Sequence, residues 1–177
     1  MNQDSRGTNY GHEEGKIQIS VESNIAGTLP GLITSVPSVH LEINVHIETK
    51  GIVVNKTYEG QISIDARGLR NKIEVDKPNS KPSLTETKIE LPRGKELEIA
   101  NKLAGGAKNF KNDALPYSFP DRNGTMPLGG TNSNSFASGL LQFGTGNFQY
   151  GVIEDLKNNG YVAPGYGNPM SEGLFKP

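Results

Sequence analysis

Cysteine is absent from the 177 residues, which removes disulfides, thiolate metal ligands and thiol nucleophiles from consideration. Apolar residues are also scarce. At 33% hydrophobic, with 22 glycines, the chain can build only a modest core and must turn often. No run approaches the roughly 18 apolar residues that a membrane span needs. Charge of one sign is lacking too, because acids and bases nearly cancel to a net −1 with no long run of either. A nucleic-acid binder would carry a basic patch or stripe, and none is legible. The charges in Pro92-Arg93-Gly94-Lys95-Glu96 alternate in sign and read as a solvated helix start. The N-terminal segment MNQDSRGTNYGHEEGK lacks the apolar centre of a secretion signal.

What remains fits one domain. Two would leave each with a core near the lower limit of stability. Residues 1–15 read as a flexible leader, or as the start of a domain excised from something longer, and 16–177 as a single α+β unit. A strand-like alternation begins at Lys16, with Ile17, Ile19 and Val21 on one side. Residues 27–37 read as loop. Val39–Glu48 has the clearest period of two, setting Leu41, Ile43, Val45 and Ile47 against His40, Glu42, Asn44 and His46. Lys50-Gly51 and Glu59-Gly60 read as turns between Ile52–Tyr58 and Ile62–Ala66. Further strands are expected at Lys72–Val75 and Thr85–Leu91, on either side of a loop over Lys77–Ser83. Short strands joined by short turns predict an antiparallel sheet.

After Leu91 the period changes. Pro92 suits the first helical position, and Leu97, Ala100, Leu103 and Ala104 form a stripe that Gly105-Gly106 would end. A loop rich in Pro, Asn and Gly covers Asn112–Gly130. Further helices are expected near Ser135–Gln142 and Val152–Lys157, with loop from Ala163 to Pro169. Strands first and helices later predict an antiparallel sheet packed against two or three helices.

Two stretches carry candidate chemistry. His40, Glu42, Asn44 and His46 share a strand face, which is either solvated, catalytic or metal-binding. His40 and His46 stand roughly 20 Å apart along a strand, too far to share an ion. A site built on His40 and Glu42 would need a third ligand, for example from His12-Glu13-Glu14 if the leader folds back. The second stretch, Gly129-Gly130-Thr131-Asn132-Ser133-Asn134-Ser135-Phe136, reads as a glycine loop entering a helix. Ser, Thr and Asn there are helix caps by chemistry. A hydroxyl at that position also sits in the field of the helix terminus, beside amides able to hold an oxyanion.

The order of these motifs resembles the circularly permuted papain-like hydrolases, the wider group that includes the lecithin:retinol acyltransferase relatives. In that group a strand starts with the catalytic His, a helix follows, and an Asn-Cys-x-x-Phe-type motif opens a second helix. The matching residues are Val39-His40-Leu41-Glu42-Ile43, a helix over Arg93–Ala104, Leu115-Pro116-Tyr117-Ser118-Phe119, and Asn132-Ser133-Asn134-Ser135-Phe136. Together with Pro164-Gly165 the pattern is similar to domains of bacterial toxins and secreted effectors, and it spans His40 to Pro169. The resemblance implies a hydrolase or acyltransferase acting on an amide or ester of a cell-wall peptide or lipid. It further implies delivery within a larger bacterial protein, an immunity or carrier partner, and no cofactor or metal.

Ser133 stands where the group carries Cys, and that changes the chemistry. A thiol ionises readily at a helix N-terminus, whereas a hydroxyl needs a base in hydrogen-bond contact. The expected roles are Ser133 as nucleophile, His40 as base and Glu42 as orienting group, with Ser135 as the fallback nucleophile. Competing expectations are a non-catalytic binding domain, or an adhesive module of a secreted or phage protein using its sheet edge.

Overall fold

The computed structural model describes residues 15–25, 37–76, 82–121 and 123–177. The expected leader, apart from Gly15, lies outside the described residues together with His12-Glu13-Glu14. Residues 27–36 of the first loop and 77–81 of the last inter-strand loop lie outside them as well.

The chain is α+β. Five strands, β1 (Lys16–Ile25), β2 (Val39–Thr49), β3 (Ile52–Asp65), β4 (Gly68–Val75) and β5 (Thr85–Lys88), form an antiparallel sheet in the order β4-β3-β2-β1-β5. Three helices follow, α1 (Glu96–Asn109), α2 (Ser133–Thr145) and α3 (Tyr150–Asn158). Among the described residues no helix is long and apolar enough to cross a membrane.

The alternation in β1 and β2 sends Ile19, Val21, Val39, Leu41, Ile43 and Val45 into the core. There they meet Ile99, Leu103, Phe136, Leu140 and Leu141 from α1 and α2. The opposite face carries Gln18, Ser20, Glu22 and Asn24 of β1 beside His40, Glu42, Asn44 and His46 of β2, by the register Glu22↔Glu42 and Asn24↔His40. Each fully buried aliphatic side chain contributes about 1.5–3 kcal/mol, so this one face supplies most of the driving force.

Two glycine signals have a different meaning in the fold from the one expected. Glu59-Gly60 does not turn the chain, and β3 runs straight through it. A Cβ on Gly60 would lie 2.8 Å from Ser133 Cα and 2.9 Å from Phe136 Cβ, so the missing side chain is what lets α2 press onto the strand. Likewise α1 continues through Gly105-Gly106 to Asn109, because a Cβ on Gly106 would meet the Phe143 ring at 2.8 Å. Both glycines mark close packing rather than chain reversal. Gly60→Ala is therefore expected to cost about 1–3 kcal/mol, since backbone atoms of α2 would have to give way. Urea denaturation measures it, and an unchanged midpoint would mean that α2 does not press on β3.

Candidate active site

Helix α2 begins with a dense cap. Asn132 Oδ1 accepts from the amides of Asn134 and Ser135 at 3.0 and 3.1 Å, and Asn132 Nδ2 donates to the Pro164 carbonyl at 2.9 Å. The Pro164-Gly165 loop lies directly on this cap. Gly165 has φ +91°, and a Cβ there would fall 2.4 Å from Asn132 Oδ1, so position 165 accepts only glycine. Ser135 is fully buried and its hydroxyl donates to the Gly165 carbonyl at 3.0 Å. The fallback nucleophile is thus tied into the loop that seats the helix.

Asn134 links this helix to the sheet. The β2–β3 register runs from Thr49↔Ile52 to Glu42↔Glu59. Beyond it, the Leu41 amide donates to Asn134 Oδ1 at 2.9 Å, and Asn134 Nδ2 donates to the Val39 carbonyl at 2.9 Å. One buried carboxamide therefore takes over the pairing edge of β2 where the ladder to β3 ends. The same Nδ2 reaches the Pro164 carbonyl at 3.1 Å. The mouth of α2 is wedged between the diverging strands. This explains how His40, on the face away from the helices, meets a residue of α2.

His40 Nδ1 lies 2.8 Å from Ser133 Oγ, across 93 residues of sequence. Tyr117 brings its hydroxyl to 3.3 Å from the same Oγ. Tyr117 is held by the edge of β4, its amide donating to the Leu69 carbonyl at 2.9 Å, and by an isolated bridge to Thr131. On the far side of the imidazole, Nε2 is 2.5 Å from Glu59 Oε1. This is a short charge contact whose direction departs from the ring N–H axis, and Nε2 has no well-aligned hydrogen bond. Ser133 is 4% exposed and the side chains of His40 and Glu59 are 18% and 17% exposed, so the three groups are largely sheltered from solvent.

His40 and Ser133 are thus brought together, and His46 is not, since its Nδ1 faces Asn55 Oδ1 at 2.6 Å on another part of the sheet. Glu42 is buried on the His40 face, directly opposite Glu59 in the register. The carboxylate against the ring is Glu59, which sequence reasoning passed over because Glu59-Gly60 resembled a turn. Tyr117 lies in the Leu115–Phe119 motif, which assigns it no role, and its hydroxyl is the second group on Ser133. Of the backbone N–H groups near Ser133, expected as oxyanion donors, those of Asn134 and Ser135 are occupied by the Asn132 cap. The Tyr117 hydroxyl is the donor group seen beside Oγ. Comparison of the chain with protein-family models, with curated proteins and with solved structures returned no match.

Proposed function

We propose that the chain is a serine-dependent hydrolase or acyltransferase acting on an amide or ester bond, in the manner of the permuted papain-like enzymes that its motifs resemble. One observation carries the proposal, the 2.8 Å contact between His40 Nδ1 and Ser133 Oγ at the mouth of a helix. With Nδ1 accepting, Ser133 donates its proton to the imidazole and receives a hydrogen bond from Tyr117. This arrangement needs the Nε2–H tautomer, which the Glu59 carboxylate favours.

The steps follow from those positions. Ser133 Oγ attacks the carbonyl carbon as its proton passes to His40 Nδ1. Glu59 stabilises the imidazolium, and the Tyr117 hydroxyl faces the developing oxyanion. His40 then returns the proton to the leaving amine or alcohol, and an acyl-serine remains. Water, or an acceptor hydroxyl or amine, then attacks the acyl carbon as its proton passes to His40, and the bond to Ser133 Oγ breaks as His40 returns that proton to the serine. The dipole of α2 alone would not ionise a hydroxyl, so the base is indispensable.

A neutral fluorophosphonate tests this without knowledge of the substrate. One adduct per chain is expected, mapping to Ser133 by peptide mass spectrometry and absent from His40→Ala. No adduct after prolonged excess reagent would end the hydrolase reading. The competing reading, a binding or adhesive domain, draws on the 4% exposure of Ser133 and on the amides already capped by Asn132, and it predicts that outcome.

A further inference from the structure

The face that presents His40 also carries a row of carboxylates. In the strand registers Glu86 stands opposite Glu22, Glu22 opposite Glu42, Glu42 opposite Glu59, and Glu59 opposite Glu74. Every strand of the sheet contributes one glutamate to this line. Strands are spaced about 4.8 Å apart, so the line is roughly 19 Å long. Like charges placed directly opposite one another destabilise a sheet, and nothing in the packing of the core requires them on this face.

Local contacts occupy parts of the row. Glu22 accepts from the Ser83 hydroxyl, Glu74 pairs with Lys72 at 3.3 Å, and Glu59 faces His40. Glu42, at the centre, is buried and has a polar interaction of its own.

A second observation lies beside it. Asn24 is directly opposite His40 in the β1–β2 register and two residues from Glu22, on the same face. It is 4% exposed, and its side-chain oxygen has no hydrogen-bond partner among the described residues. A buried, unsatisfied acceptor costs about 1–3 kcal/mol, and a donor from a ligand would relieve it. The groups assembled next to His40 therefore accept hydrogen bonds and carry negative charge. They are strung along a line, a geometry suited to an extended organic cation.

We propose that Asn24, Glu22 and Glu42 form a subsite for the ammonium or guanidinium group of a peptide-like substrate whose carbonyl is attacked at Ser133. Glu42 lies two residues along the strand from His40, roughly 7 Å. That is about the reach of a lysine or arginine side chain from its own carbonyl, so the acyl residue itself is the basic one. This substrate class rests on the hydrolase reading, but the binding subsite does not.

The test uses the full chain with matched p-nitrophenyl esters of Nα-acetyl-lysine, Nα-acetyl-norleucine and Nα-acetyl-glutamate, at low and high salt. At low salt kcat/KM for the lysine ester is expected to exceed that for norleucine by about tenfold or more, with glutamate the poorest. The lysine preference shrinks as salt rises. In Glu22→Gln and in Asn24→Leu the lysine-to-norleucine ratio falls toward one, whereas Asn24→Asp keeps or raises it. Equal turnover of the lysine and norleucine esters overturns the subsite alone.

A binding arm separates this failure from failure of the chemistry. Nα-acetyl-lysine amide and Nα-acetyl-norleucine amide are titrated calorimetrically into wild type, Ser133→Ala and Glu22→Gln. Lysine-selective binding that survives Ser133→Ala and is lost in Glu22→Gln upholds the subsite even if the fluorophosphonate leaves Ser133 untouched. Indifference to the amine in this arm overturns it.

Discussion

Ser133→Ala and His40→Ala should each lower kcat/KM for an activated ester by about 10⁴-fold or more while leaving the urea midpoint close to that of the wild type. The asymmetry follows from what each side chain holds. Among the described residues the Ser133 hydroxyl touches only side chains, His40 at 2.8 Å and Tyr117 at 3.3 Å, neither of which it holds to the backbone of α2. Removing it leaves the buried links of α2 intact, because Asn134 holds the helix to β2 and Asn132 holds it to the Pro164 loop. In the proposed mechanism nucleophile and base act as one unit, so the double variant should be hardly worse than either single one. Glu59→Gln should fall between wild type and His40→Ala, since an amide keeps the shape but not the charge against Nε2. Steady-state kinetics on all four variants decide the matter. Retention of wild-type turnover in His40→Ala would show that the 2.8 Å contact is only structural.

The largest effect on stability is expected at Asn134. Its carboxamide is bonded to the Leu41 amide and to the carbonyls of Val39 and Pro164, all within a buried environment. Asn134→Leu would strip the Leu41 amide and the Val39 carbonyl of this buried partner, while Pro164 keeps its bond from Asn132, at a combined cost of about 2–5 kcal/mol. Asn134→Asp separates the two sides of the amide. A carboxylate still accepts from Leu41 but opposes two carbonyl oxygens, so it should also destabilise. Amide hydrogen exchange gives a local readout. Protection at Leu41 should collapse in Asn134→Leu while Ile43, inside the β2–β3 ladder, changes only with global stability. Unaltered protection at Leu41 would show that the helix mouth does not complete the edge of β2. Activity should fall together with that protection, because Asn134 holds the strand of His40 against the helix of Ser133.

Most of the fold was legible as local pattern. The alternation through Val39–Glu48 and the apolar spacing of Leu97, Ala100, Leu103 and Ala104 locate a strand and a helix that are both present, although the face of α1 that is buried runs through Ile99, Ala100, Leu103 and Ala107 and leaves Ala104 exposed. The glycine signals were read less well, because sequence alone does not distinguish a residue that turns the chain from one that admits a neighbour. Gly60 and Gly106 lie inside regular elements, and their absent side chains make room for Phe136 and Phe143.

For the candidate site the division is sharper. His40 at a strand start and Ser133 at a helix mouth are features of short stretches, so residue order by itself determined both. Their encounter over 93 residues depends on the sheet opening after Glu42↔Glu59 and on Asn134 filling the gap, a relation between surfaces rather than between neighbours in the chain. The partner of the imidazole was likewise a tertiary decision. Glu42 is nearest to His40 in sequence, but alternate strand residues point in parallel, so neither can stand behind the other. Glu59 reaches the ring because the register sets β3 beside β2, and register is determined by which apolar faces bury together across the whole sheet.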